Sequence, residues 1–356
     1  MSSTSLIKNA VTALYQYYGI PLLVFGCVGN VLNLLIFIRS QLKKNPCSTY
    51  FFYSSIANLN VIFLGLLSRI LSDGFGIDPS SYNLGYCRFR YFILHSSMVL
   101  SSWFTILASV DRYCVSSKSA RRRQLSSLKT SRFLVCSTTV IVLILYSHVW
   151  GLFTIEQLKT GPSCYAEAGF YRVFYDFFYF ATFSFTPPVM MTIVGLGTFY
   201  NVHQSHTRVN PTDTNARKVD QLKKRDRQLI KMLLVQVTFT ISLTLPLAIQ
   251  KLYSTFTQNF VKSTYQQAVE TLVTQVVRLL AFTNNSISFY LFTLSGSLYR
   301  REFFQLLDDT ICGLLRKKRS IHQESQELTE SRRNIPSKTV NVVKDVNLAL
   351  RRLSNS

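Results

Sequence analysis

The side chains of this sequence best suited to chemistry are charges placed where charge is scarce. Arg69 and Arg278 each interrupt a long apolar stretch. A guanidinium at such depth in a bilayer costs about 2.5–3.5 kcal/mol on insertion scales, so it faces a cavity or a partner, or snorkels along its stem to the headgroups. Facing a cavity, two such groups would favour a carboxylate, sulfate or phosphate, because the guanidinium fork makes bidentate hydrogen bonds. Asp111-Arg112-Tyr113 sets an acid beside a base at the end of the third apolar stretch, and Asp226 stands 20 residues before Pro246, read by itself as one solvated charge among Lys224, Arg225 and Arg227. No paired carboxylates, activated nucleophile or metal-ligating cluster falls within one plausible site, so the sequence does not read as an enzyme and implies no cofactor or metal. His148, His203 and His206 form no ligand set.

The elements that carry these residues are legible from the spacing of charge. Of 356 residues only 16% are charged, with 39 Lys and Arg against 17 Asp and Glu. Charge is absent from 9–38, 45–68, 91–110, 133–155, 177–207, 232–250 and 279–299. About 20 mainly apolar residues cross a bilayer as a helix, at about 1.5 Å of rise each. Seven such windows have no soluble explanation and predict an all-α membrane protein of seven spans, near 18–38, 50–71, 90–112, 132–153, 172–201, 229–251 and 270–294. Residues 298–307 place apolar side chains at helical spacing beside charges, as in a short amphipathic helix lying on the membrane face. The expected organisation is a short extracellular segment over 1–17, a transmembrane domain over 18–315 and a basic, disordered cytoplasmic tail over 316–356. Cys312 is a candidate for palmitoylation, or an ordinary thiol.

The net charge of +22 would suggest nucleic acid in a soluble chain. Its distribution says otherwise. With the amino terminus outside, the inner segments 39–44, 112–132, 208–231 and 300–356 hold 30 of the 39 Lys and Arg. The excess therefore predicts an outside N-terminus and an inside C-terminus in the plasma membrane, with the first span as an uncleaved signal-anchor. The basic inner face then meets lipid and protein rather than nucleic acid.

Asp111-Arg112-Tyr113 closing the third span, Cys87 25 residues before Arg112, Cys164 between the fourth and fifth spans, and Gly29-Asn30-Val31-Leu32-Asn33 in the first together resemble the rhodopsin-like (class A) G-protein-coupled receptors. The resemblance covers about 17–315. It implies a disulfide between Cys87 and Cys164, a resting lock between Arg112 and Asp226, an extracellular ligand, a heterotrimeric G protein and arrestin as partners, and a ligand cavity at Arg278, Arg69, His95 and Asp176. The sequence also departs from the family. Asn58 replaces the usual sodium-binding Asp, Leu243-Thr244-Leu245-Pro246 lacks the aromatic toggle, and Ser288-Phe289-Tyr290-Leu291-Phe292 stands for Asn-Pro-x-x-Tyr. Leu94 and His95 occupy the place of the amine-binding Asp, which disfavours biogenic amines, and the absence of Lys from the seventh span excludes a retinal Schiff base. The run from Phe289 to Gly296 followed by Tyr299-Arg300-Arg301 looks like invertebrate FMRFamide-type neuropeptide receptors, which implies a peptide ligand. A transporter or channel is the alternative, disfavoured because no Asp or Glu lies near mid-membrane and no internal repeat is seen.

Overall fold

The computed structural model describes residues 3–158, 161–205, 216–257, 260–297 and 299–309, with backbone only over 202–229. Cys312, the tail over 316–356 and the side chain of Asp226 therefore lie outside the described residues. Two compact units divide the chain, Met1–Glu302 and Phe303–Ser356; of the second, residues 303–309 are helical, as expected of the amphipathic segment.

Six helical runs are long and apolar enough to cross a membrane: α1 (Ser5–Phe37), α2 (Pro46–Gly74), α3 (Leu84–Ser116), α4 (Leu128–Leu152), α5 (Phe170–Asn201) and the Leu233–Phe256 part of α6 (Ala216–Phe256). The seventh span is α7 (Thr264–Ser286) continued by α8 (Ser288–Ser295). It is more polar because Gln266, Gln267, Glu270, Gln275 and Arg278 occupy its first half. Every span is longer at one or both ends than its charge-free window; the helical run of α1 in particular begins near Ser5, so residues 5–17, expected to precede the first span, are helical as well. Counting uncharged residues marks the hydrocarbon width, whereas backbone hydrogen bonding continues past it.

Burial sets the arrangement. In α3, 78% of the apolar window is enclosed, against 22% in α4. The central helix packs on α2, α4 and α5, while α6 packs on α7, and α1 on α2 and α7. Val24, Val28, Val31 and Leu35 of α1 and Ile141, Ile144 and Leu145 of α4 point outward. Apolar faces of this kind suit lipid and would be a liability in water. Between α4 and α5 the chain forms an antiparallel hairpin, β1 (Phe153–Leu158) and β2 (Gly161–Ala166), with Ile155 opposite Cys164. The hairpin is the one element the apolar pattern did not foretell.

Local distortions fall where the site is. Wide π-type turns run over Ile62–Leu67 and Ile70–Gly74, leaving Arg69 at their junction. Such turns re-aim side chains and recur at functional sites. Another, Phe180–Phe185, ends just before Pro187-Pro188, whose missing N–H groups and ring clashes disturb the preceding turn. The seventh span breaks at Ile287 without a proline, where Asn30 Nδ2 donates to Asn285 O (3.0 Å) and Asn33 Nδ2 to Ser288 Oγ (3.1 Å). Gly26 permits this approach of α1 to α7: a Cβ there would lie 2.5 Å from Ser286 Oγ.

Candidate functional site

Helical spacing on five spans points one face of each at a common outer cavity of about 380 Å³. From α3 come Arg90, Tyr91, Leu94, His95 and Met98, at steps of one, three, one and three. Cys87, one turn earlier, is joined to Cys164, which pins the hairpin over this face. Arg172, Asp176 and Tyr179 line it from α5 at i, i+4 and i+7, as do Leu247, Gln250, Lys251 and Ser254 from α6. Thr274, Arg278, Ala281 and Phe282 complete the wall from α7, and Arg69 and Gly65 from α2. The floor is apolar and close-packed: a Cβ on Gly65 would meet Phe282 Cε1 at 2.6 Å. A second hollow of about 460 Å³ above shares Arg69, Tyr91, Tyr165 and Arg278 with it and adds Glu270 and Gln275.

All four residues expected to touch ligand, Arg69, His95, Asp176 and Arg278, line this one cavity. Both arginines line the cavity and hydrogen-bond to protein side chains. Arg69 lies 3.5 Å from Asp73 and donates to the Tyr91 hydroxyl at 3.4 Å. Arg278 Nη1 donates to Gln275 Oε1 at 2.6 Å, and the same oxygen accepts from the Tyr15 hydroxyl at 2.8 Å. His95 shares a hydrogen bond with the Tyr175 hydroxyl and packs among Tyr91, Phe153 and Tyr179, so it braces the wall. Asp176 is already engaged: its Oδ1 accepts from Tyr165 at 2.6 Å and from Lys251 at 3.1 Å.

Lys251, Arg90 and Arg172 are cationic lining groups that charge counting missed, because each stands at the very limit of its expected span (229–251, 90–112 and 172–201). The helical repeat from Leu247 through Lys251 to Ser254 was the available signal. Arg90 is 2% exposed; it donates to Leu64 O at 3.0 Å and Ser80 Oγ at 2.8 Å, and sits 3.8 Å from Asp78. Burial alone would raise the Asp78 carboxyl, but hydrogen bonds from Ser80 and Ser81 and the Arg90 charge hold it below the usual carboxylate range. Burial, reinforced by the Asp176 carboxylate, pushes the Tyr165 phenol well above its ordinary value, which keeps it a donor. Arg172 is paired with Glu156 of the hairpin.

At the opposite end, Asp111 and Arg112 form a buried ion pair within α3. Arg112 Nη2 also donates to Asn45 Oδ1 (3.1 Å), and Ser126 donates to Asp111 Oδ1 (2.6 Å). Asn58 Oδ1 accepts from Ser101 at 2.6 Å, a neutral contact where a sodium-binding acid would stand. Among the described residues no cluster of metal-ligating side chains occurs.

Residues 29–287 match the model of the family described as 7 transmembrane receptor (rhodopsin family). The protein named Probable G-protein coupled receptor 34 of Mus musculus is 28% identical over 138 residues, which cover 38% of this chain and 36% of the mouse protein. Proteins of that name from Pan troglodytes and Gorilla gorilla gorilla are likewise 28% identical over 138 residues, covering 35% of their own length. The match thus spans little more than a third of these relatives. The family model, in contrast, covers well over half of the chain and both ends of the bundle described above. The chain belongs to the rhodopsin family of seven-transmembrane receptors, and is a multi-pass membrane receptor rather than an enzyme.

Proposed function

We propose that this receptor binds an extracellular ligand carrying an anionic group, a peptide in the first instance, in the outer half of the bundle, and that binding activates a heterotrimeric G protein. The observation that carries the reading is Arg278. Among the described residues Arg69, Arg90, Arg172 and Lys251 each have an acid within 4 Å, whereas the partner of Arg278 is the neutral Gln275. A cavity-facing guanidinium satisfied only by an amide is ready for a carboxylate, sulfate or phosphate, since charge-assisted hydrogen bonds outweigh neutral ones. The peptide class rests on the Phe289–Gly296 resemblance. Coupling to a G protein follows the family and the printed names of the relatives.

Activation is a population shift: the ligand favours a state whose inner face is open, with Arg112 as the switch at that face and Asp226 as its resting acid. The positive inner segments support a cytoplasmic inner face, with lipid and arrestin as further proposed partners, in a receptor of the plasma membrane. Tagged termini probed on intact cells test the orientation; a C-terminal tag accessible from outside would overturn it. For the ligand, a panel of peptides and small anions is screened by nucleotide loading of a G protein, with Arg278→Ala in parallel. The substitution is expected to shift the effective concentration by about tenfold or more, as for a lost charged hydrogen bond. Equal responses from both receptors would remove the anion site, and ligand-driven flux without nucleotide loading would remove the receptor mechanism.

A further inference from the structure

Among the described ion pairs at this cavity, Lys251–Asp176 is the one that joins two spanning helices; Arg172–Glu156 and Arg90–Asp78 tie a span to the hairpin or to a loop. Arg69–Asp73 closes within one helix, as an i, i+4 pair. Lys251–Asp176 instead joins α6 to α5, and the hydroxyl of Tyr165 brings the hairpin to the same point, 3.3 Å from Lys251 Nζ. Nζ also lies 4.3 Å from the centroid of the Tyr179 ring. The two side chains are 23% and 17% exposed, so water screens them only in part. Asp176 is the acid in a cavity otherwise lined by Arg69, Arg90, Arg172, Lys251 and Arg278.

The geometry points to Lys251 as a second anion-binding and specificity-determining residue of this cavity, with Asp176 as a built-in competitor that occupies it until the ligand arrives. This rests on the anion-site reading above. The Asp176 carboxylate stands where the ligand's anion would sit against Lys251. An incoming anion competes for Nζ and repels the carboxylate, so exchange favours separation of Lys251 from Asp176. The released carboxylate is not orphaned, because Tyr165 still donates to its Oδ1 at 2.6 Å. Exchange unties α6 from α5 and the hairpin five residues beyond Pro246, where the helix already lacks one backbone hydrogen bond. Binding energy thus reaches α6 through a contact that differs between the bound and free states, as coupling requires.

The test uses the full-length receptor in detergent and phenyl phosphate as probe, an anion with an aromatic body suited to the Leu94–Phe282 floor. The readout is the concentration giving half of the maximal thermal stabilisation. Asp176→Asn is expected to tighten binding roughly three- to tenfold by removing the competitor, and Lys251→Met to weaken it about tenfold. Asp176→Asn added to Lys251→Met is expected to change nothing further, since there is no longer a group to compete for. Tyr165→Phe, which keeps both charges, supplies a milder variant should Asp176→Asn fold poorly; it is expected to weaken binding slightly, by leaving the released carboxylate without its donor. Weaker binding by Asp176→Asn, or effects that simply add in the double variant, would make Asp176 an ordinary ligand contact and overturn the exchange. Arg278→Ala separates the two claims: if it abolishes binding while Asp176→Asn and Lys251→Met act additively, the anion site stands and the exchange falls. If no variant binds, wild type included, both fall.

Discussion

The two ends of the bundle handle buried polarity in different ways. At the outer end, charges meet across elements: Lys251 of α6 holds Asp176 of α5, Arg172 of α5 holds Glu156 of the hairpin, and Arg90 of α3 reaches Asp78 in the loop after α2. At the inner end the buried Asp111–Arg112 pair closes within one helix and Arg39, just after α1, meets the buried Glu302 at 3.2 Å, while the amide contacts between spans are neutral. Asn33 bridges Ser288 and Tyr299, and Asn58 accepts from Ser101. Contacts between charges on separate elements can be exchanged for a ligand's charge. Neutral amide bonds between helices fix register, with little for an ion to compete for. The difference supports the proposed recognition at the outer end and the proposed switch at Arg112 at the inner end.

Four substitutions would sharpen or break this contrast. Asp111→Ala removes the adjacent acid from the buried Arg112 guanidinium; a loss of up to about 3–5 kcal/mol is expected, with raised basal nucleotide exchange. A stable variant with unchanged basal exchange would show that the inner pair is neither frame nor switch. Cys87→Ala frees the hairpin from α3 and is expected to cost about 2–5 kcal/mol. Ligand response should fall while basal exchange holds, and equal loss of both would mean the two ends are not separable. Tyr299→Phe strips the donor from buried Asn33 Oδ1, at an expected cost of about 1–3 kcal/mol, read as a lower melting temperature with ligand affinity unchanged. The smallest effect belongs to Asp78, whose carboxyl is held low in the fold. Its contribution is complete above the unfolded value near pH 4 and is lost as pH falls through the folded value. Melting curves at pH 7 and below pH 4 should therefore differ less in Asp78→Asn than in wild type, by under about 1 kcal/mol after solvent screening.

The site was partly legible beforehand. Arg69 and Arg278 stood out because each interrupts an apolar run, and Asp111-Arg112-Tyr113 because it closes one. Lys251 and Arg90 did not, since a charge at the margin of a span looks the same whether it faces lipid headgroups or a cavity. Asp176 was identified as a cavity residue, without the partners Lys251 and Tyr165 that its carboxylate holds. Asp176 and Lys251 stand 75 positions apart, and nothing in the linear order announces that contact.

Sequence alone determined the number of spans, the topology expected of them and the membership in a receptor family, because a bilayer taxes charge and unpaired backbone at every position of a crossing segment. That constraint acts residue by residue and is written in one dimension. Only the tertiary structure decided which charges meet. It required the hairpin to be pinned to α3 by Cys87 and Cys164, the π-type turns to re-aim Arg69, and α5 and α6 to bring Asp176 against Lys251. Pairing between charges depends on separations of 3 or 4 Å across helices far apart in the chain, and such distances are set by packing rather than by composition.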